Sequence, residues 1–342
     1  MIPRQLENPI LITNRVNQRW LHRLPMAQGA IYLSKRKNIF FSWGRFAPEN
    51  LPNGLEVKAI TAEELGSYVA KLLHENHEKK LILEGDVPFY VYHALEECGV
   101  PSLVIRDGVI EHFRETKEEW EIAQLAEASR ITDHAFSKIL GDLKPGITEL
   151  EVAAKLEYYM RLEGCEEFNK TIVASGTNSA KPHHWPTGKP LEKGDFVTMD
   201  YGCTVNGYHS DLTRTVVLGL ASKKQKKIYE TVLEAQQTAT EALRAGKISG
   251  ELDKVARDVI DNTEFQGSFL HNLGHGIGLD IHEGTGLVQG SGAVLKAGMV
   301  VSIEPGIYLP GFGGVRIEDI AVVEQDGCRV LEHSDHKLIE VK

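Results

Sequence analysis

Residues 200–211, D-Y-G-C-T-V-N-G-Y-H-S-D, decide how this chain is read. They hold two aspartates, Asp200 and Asp211, on either side of the dipeptide Asn206-Gly207. Asn-Gly between β-forming runs is a strong hairpin signal, because a type I′ turn needs positive φ at both central residues. The flanking runs, F-V-T-M-D and D-L-T-R-T-V-V-L, are strand-like. With 206 and 207 as the turn, residue i faces residue 413 − i, so Asp200 lies opposite Thr213 and Asp211 opposite Gly202. Side chains alternate along a strand, which puts all four on one face and makes the aspartates diagonal neighbours. Gly202 is expected to leave room between them. Two like charges so placed share a proton, share a cation, or are merely solvated.

The other 330 or so residues choose among these (342 in all), a length sufficient for two domains. The composition, 42% hydrophobic and 25% charged, is that of an ordinary globular protein. A formal net charge of −10 with no basic block argues against nucleic acid and anionic membrane surfaces as partners. Cys98, Cys165, Cys203 and Cys328 show no C-x-x-C spacing, which fits a reducing compartment. No leader-like apolar segment follows Met1 and no apolar run reaches membrane-spanning length, so a cytoplasmic location is expected.

Residues 1–115 alternate strand-like runs (10–13, 30–34, 80–84, 102–106) with helix-like ones (62–75 after Thr61, and 88–98), predicting a small α/β domain. Trp43 and Phe46 are expected in its core. From 116 to 342 the order changes. Thr116 and Glu119 read as a capping box for a helix to about 140, and Thr148 and Glu151 as another for a helix to 164. The hairpin follows. Ser222 and Gln225 then open a third helix, a shorter one spans about 249–262, and two β runs, V-V-S-I-E and V-R-I-E-D-I-A-V-V, close the series. Asp200 and Glu304 are 104 residues apart, and His183 and His282 are 99 apart. Spacings near 100 predict an internal duplication, two similar α+β halves related by a pseudo-twofold with their acids facing one cleft.

The second half adds His275 in L-G-H-G-I-G-L, Glu304 at the end of one apolar strand and Glu318 within another, with Arg316 on the same face as Glu318. Carboxylates in apolar strands are costly unless paired or ligated. Asp200, Asp211, His275, Glu304 and Glu318 over-supply one divalent ion with charge and suit two. An oxygen-rich set with one imidazole favours Mn²⁺, with Co²⁺ and Zn²⁺ as alternatives.

The segments S-G-T-N-S-A-K-P-H-H, M-D-Y-G-C with S-D-L-T-R-T, L-G-H-G-I-G-L-D-I-H-E, S-I-E-P-G-I-Y and G-G-V-R-I-E-D resemble the M24 metallopeptidases of the pita-bread fold. That group contains the Xaa-Pro dipeptidases (prolidases), aminopeptidases P and methionine aminopeptidases. The resemblance implies that Asp200, Asp211, His275, Glu304 and Glu318 hold two metal ions and that Glu304 also accepts the proton of the attacking water. It implies substrate-side roles for His183 and His282, and a homodimer. Residues 1–115 more weakly resemble the domain that precedes the catalytic one in prolidases and aminopeptidases P. Short overall length favours a prolidase-type dipeptidase, with an Xaa-Pro aminopeptidase on longer peptides as the alternative. The run His282-Glu283-Gly284-Thr285-Gly286 lacks the proline common in the family there. A metal-free, creatinase-like C–N hydrolase and a non-catalytic peptide-binding module share the fold, but both are expected to have lost ligands that are present here. Arg316 is assigned to orienting Glu318 or binding a substrate carboxylate, or else to a surface ion pair. Thr213 is expected to support Asp200 across the hairpin.

Overall fold

Asn206 (φ 49°) and Gly207 (φ 80°) take the left-handed conformations that a type I′ turn requires. Tyr208 pairs with Val205, His209 with Thr204, Leu212 with Tyr201 and Thr213 with Asp200, which is the expected register throughout. The computed structural model describes residues 6–23, 28–43, 51 and 54–342. The chain divides into two compact units, Met1–Arg114 and Glu115–Lys342.

In the first unit the elements are β1 (Ile10–Ile12), α1 (Arg15–His22), β2 (Gly29–Leu33), β3 (Asn38–Ser42), β4 (Glu56–Ala59), α2 (Leu65–Glu75), β5 (Leu81–Leu83), α3 (Phe89–Glu97), β6 (Leu103–Ile105) and α4 (Glu111–Arg114). The strands form one mixed sheet in the order β4-β3-β2-β1-β5-β6. Its apolar faces pack into two clusters, one with Val69, Leu73 and Leu95 of α2 and α3, the other with Leu21 of α1. Four of the six strands match the expected runs. Sequence reading missed β3, β4 and α1; α1 is polar along most of its length and is fixed by Asn14, whose side chain caps Asn17 N–H. Helix α2 starts at Leu65 rather than 62, because the preceding turn is closed by i−3 bonds, Glu64 N to Thr61 O (3.2 Å) and Leu65 N to Ala62 O (3.3 Å). Trp43 is partly buried against this core, while Phe46 lies outside the described residues.

The second unit begins with α5 (Glu119–Ile139), α6 (Glu149–Leu162) and β7 (Ile172–Ser175), and a 3₁₀ turn at Gly176–Ala180. Then come β8 (Phe196–Tyr201), β9 (Thr204–Val205), β10 (Tyr208–His209), β11 (Leu212–Leu218), α7 (Lys223–Ala242) and α8 (Ser249–Asp261). It ends with β12 (Val300–Ile303), β13 (Gly306–Leu309), β14 (Gly313–Arg316), β15 (Asp319–Val323), β16 (Cys328–Val330) and β17 (Glu340–Val341). The expected capping boxes at Thr148–Glu151 and Ser222–Gln225 are formed. The one at Thr116–Glu119 is not. Thr116 is bridged to Met299, so its backbone is extended and α5 starts later, capped by Glu118 and Glu121.

The two halves of this unit repeat each other down to single hydrogen bonds. Gly146 N donates to Leu191 O (2.9 Å) and Leu191 N to Ile147 O (2.8 Å); Gly246 N donates to Leu295 O (2.9 Å) and Leu295 N to Lys247 O (2.9 Å). Helices α5 and α6 bury Ile131, Ala135 and Leu156 against Val173, Met199 and Val216. Helices α7 and α8 bury Val232, Leu252 and Ala256 against Val301, Ile303 and Ala321.

Glu149, the first residue of α6, is fully buried. Its carboxylate accepts from Ser175 N (2.8 Å), Asn178 Nδ2 (3.0 Å), His184 Nε2 (2.9 Å) and Thr187 Oγ1 (2.7 Å), and so ties down the loop that carries His183. His184, the neighbour of His183, is buried and belongs to this clamp. Burial alone would raise the Glu149 pKa, but the donors, His184 foremost, bring it from 4.5 down to about 2. A depressed folded-state pKa stabilises above the unfolded value, and that stabilisation is lost as pH falls toward the folded one. Glu149→Gln is therefore expected to lose about 2–3 kcal/mol near neutral pH. The gap to wild type should narrow between pH 4.5 and about 2, as urea titrations at several pH values would show.

Candidate active site

The register of the hairpin and the repeat in the second half bring the acids to one cavity of about 790 Å³. Asp200 lies in β8 and Asp211 immediately before β11. Glu304 follows β12 directly, at the place Asp200 holds in the first half. Glu318 was expected within a continuous strand; instead it sits at the break between β14 and β15, bridged to Thr213. The segment bearing His275 runs antiparallel to β12: Ser302 N donates to His275 O (2.8 Å) and Glu304 N to Leu273 O (2.8 Å). Glycine is required beside it, since a Cβ at Gly274 would stand 2.0 Å from Ser302 O and one at Gly276 2.0 Å from Glu283 O.

His275 Nε2 is 3.4 Å from Asp211 Oδ2 and 3.5 Å from Glu304 Oε1. One ligand atom from each of Asp211, His275 and Glu318 lies within 4.8 Å of the other two. Ser302 Oγ holds both ends of the second-half pair, accepting from His275 N (2.9 Å) and donating to Glu304 Oε1 (3.2 Å). Asp200 faces the same cavity, but its Oδ2 is in an ion pair with Arg316. His183 and His282 also line the cavity, and the His282 ring lies 3.9 Å from that of His275.

Electrostatically the cluster is over-charged. Burial, then the neighbouring Asp211, pushes Asp200 up to about 6 against the pull of Arg316. Glu304 rises to about 7 by burial, and Glu318 well above its usual range by burial and by the charges of Asp211, Glu304 and Asp200. His275 would be lowered by burial, but Asp211 and Glu304 carry it to about 9. Four carboxylates and one imidazole that cannot all keep their charges against a single arginine are the donor set that divalent cations satisfy. The residues fit a metal centre.

Arg316 is buried rather than on the surface. It donates from Nε to Thr213 Oγ1 (3.2 Å), from one terminal nitrogen to Tyr308 Oη (2.8 Å), and pairs through the other with Asp200. A guanidinium so committed orients the cluster and does not wait for a substrate carboxylate. Thr213 does not donate to Asp200 as expected; its hydroxyl goes to Glu318 Oε2 at 2.5 Å. Gly202 is likewise not the space between the aspartates. A Cβ there would meet Ser210 O at 2.0 Å and Asn169 Nδ2 at 2.2 Å, so the glycine serves close passage of the hairpin strands.

Sequence reading missed a second layer. Tyr308 Oη accepts from Arg316 and lies 2.8 Å from His271 Nε2, while His271 Nδ1 lies 2.8 Å from Asn272 O. The phenol therefore donates to Nε2, and the imidazole is neutral with its proton on Nδ1. Burial, with Arg316 nearby, lowers its pKa to about 3, consistent with that state. The only signals in the sequence were His271 four residues before His275 and Tyr308 four after Glu304.

An α+β chain with a carboxylate–histidine cluster at the meeting of two repeated halves defines a metal-dependent hydrolase site. Comparison with known proteins makes it particular. The sequence model of metallopeptidase family M24 matches residues 123–325, and the chain belongs to that family. It is 42% identical over 260 residues to an Xaa-Pro dipeptidase of Pyrococcus furiosus, covering 75% of this chain and 74% of that one. The structure of an Xaa-Pro dipeptidase from Bacillus anthracis superposes with a TM-score of 0.93 at 39% identity, covering 97% of this chain and 94% of the other. An X-Pro aminopeptidase from Thermotoga maritima gives 0.91 at 31% identity, covering 98% and 97%. The fold is the pita-bread fold, and the protein is a peptidase of a metal-dependent family. Among the described residues no helix is long and apolar enough to cross a membrane.

Proposed function

We propose that this peptidase is a prolidase-type dipeptidase, hydrolysing dipeptides with proline in the second position. The observation that carries this reading is the convergence of Asp211, His275 and Glu318 within 4.8 Å, with Glu304 and Asp200 on the same cavity, in a chain 42% identical to a named Xaa-Pro dipeptidase. In this reading Asp200, Asp211, His275, Glu304 and Glu318 hold two divalent ions, Mn²⁺ first and Co²⁺ or Zn²⁺ as alternatives. Bound there, the ions supply an acidified water and a polarised carbonyl. Glu304 takes the proton from the attacking water. His183 and His282 are both kept below their ordinary pKa, by burial first, and so are neutral donors for the developing oxyanion and neighbours of the leaving nitrogen. Arg316 and Thr213 hold Asp200 and Glu318 in place. A cytoplasmic location and a homodimer belong to the same proposal and rest on the family resemblance.

The aminopeptidase reading has one observation in its favour, the fit to the Thermotoga maritima enzyme named for that activity. Initial rates on Ala-Pro, Ala-Pro-Ala and Ala-Ala with Mn²⁺ supplied separate the two. Ala-Pro is expected to be the preferred substrate. Turnover of Ala-Pro-Ala at an equal or higher rate would overturn the dipeptidase reading.

A further inference from the structure

Strand β7 is the edge of its sheet, beside β8 in the order β17-β11-β8-β7, and its pairing slips by one residue beside the cavity. From Ile172 to Ser175 the partners run Ile172–Asp200 to Ser175–Val197. Four residues upstream, Phe168 is bridged to Cys203, and Asn169 N donates to Gly202 O at 2.9 Å. Residues 169, 170 and 171 thus face only 201 and 202. That is a β-bulge, and a bulge at a sheet edge re-aims side chains that strict alternation would send to the other face. The result is visible in the lining: Phe168, Asn169 and Lys170 are consecutive, yet all three border the cavity together with Ile172.

Asn169 is fixed there, donating to Ser210 O (2.6 Å) and bonded to His209 Nδ1 (2.6 Å). Lys170 is differently placed. Its ammonium stands 4.1 Å from the ring centre of Trp185, which is 65% exposed. Among the described residues, the cavity has two permanent cations, Lys170 and Arg316. Arg316 is committed to Asp200, Tyr308 and Thr213, whereas no carboxylate of the described residues pairs with Lys170. The charge of Lys170 nevertheless reaches into the site: after burial and Arg316, it helps to lower the pKa of His183.

We infer that Lys170, brought to the cavity by this bulge, receives the C-terminal carboxylate of the substrate, its ammonium steadied by the Trp185 ring. The inference rests on the dipeptidase reading, since only a dipeptide ends one residue beyond the scissile carbonyl, about 4 Å of chain. Lys170 is two residues along from Ile172, which faces Asp200, or about 7 Å of strand, and a four-carbon stem spans that difference. Lys170 is exposed, and a cation at the rim of the cavity disfavours a longer peptide. The longer chain presents a neutral amide where the site offers a charge.

The test compares Ala-Pro with Ala-Pro-amide, which differs only in lacking the terminal charge, in the Mn²⁺-loaded wild type, Lys170→Met and Lys170→Arg. Wild type is expected to favour the acid by about tenfold in kcat/KM, the worth of one charge-assisted hydrogen bond. In Lys170→Met the KM for Ala-Pro should rise about tenfold with little change in kcat, erasing the preference, and Lys170→Arg should restore most of it. An acid-to-amide preference that survives in Lys170→Met, or KM values that rise equally for both substrates, would overturn the assignment while leaving the dipeptidase reading intact. A wild-type enzyme that turns over neither substrate sinks that reading, and this assignment falls with it.

Discussion

Asp211→Asn is expected to reduce kcat/KM on Ala-Pro by about a thousandfold or more, because it removes a ligand charge where hydroxide must form at neutral pH. Asp211 touches the cluster from both sides: its Oδ2 is 3.4 Å from His275 Nε2, and its charge raises Glu318 more than any other neighbouring charge. The amide is the same size, so packing is unchanged. The fold should not suffer in the metal-free protein, since relief of the repulsion felt by Glu318 offsets the lost pair with His275. Its Tm without metal should be no lower than that of wild type, while metal content after dialysis falls. Loss of activity with unimpaired stability is the signature of a site whose charges are kept for chemistry at the expense of the fold. Turnover within tenfold of wild type would remove Asp211 from the proposed ligand set and, with it, the argument for a dinuclear centre.

Arg214→Met has the largest expected effect on stability. Arg214 is 1% exposed and pairs with Asp319, which is fully buried, at 2.6 Å. It also donates to the carbonyls of Thr213 (3.0 Å) and Glu318 (2.6 Å), and Asp319 is further held by Gln236 Nε2 (2.7 Å) and His336 Nε2 (2.6 Å). This pair is the strut behind Glu318: it fixes the two backbones whose side chains meet at the cavity. Methionine fills the volume but leaves the Asp319 carboxylate buried without its cation, at a cost of about 3–5 kcal/mol. For a unit of this size that lowers Tm by roughly 10 °C. Replacing both partners, Arg214→Met with Asp319→Leu, should recover much of the loss, because no unpaired charge is left inside. Thermal unfolding of the two singles and the double measures the coupling. A drop of under about 1 kcal/mol in the single variant would show that Asp319 is served by Gln236 and His336 alone.

These two residues mark where the sequence was legible. Asp211 was found early because an Asn-Gly turn sets a register by itself, and a register tells which side chains share a face. The duplication was legible because Asp200 and Glu304, like His183 and His282, recur at spacings near 100, and helix starts were legible because a capping box reports local backbone geometry. The misplaced start of α5 shows the limit of that method. Thr116 has the residue type of a cap, but its backbone is occupied by Met299, far away in the chain.

The sequence by itself determined the hairpin, the repeated halves and the identities of the acids and histidines, because these follow from local propensity and from residue types grouped in short motifs. Only the tertiary structure decided who holds whom. Thr213 serves Glu318 rather than Asp200, Arg316 is spent on Asp200 and Tyr308, Glu149 clamps the His183 loop, and a one-residue slip brings Lys170 to the cavity. Such pairings join residues up to more than a hundred positions apart, and in a low-dielectric interior each depends on distances of an ångström or less. No periodicity in a sequence encodes a distance of that kind.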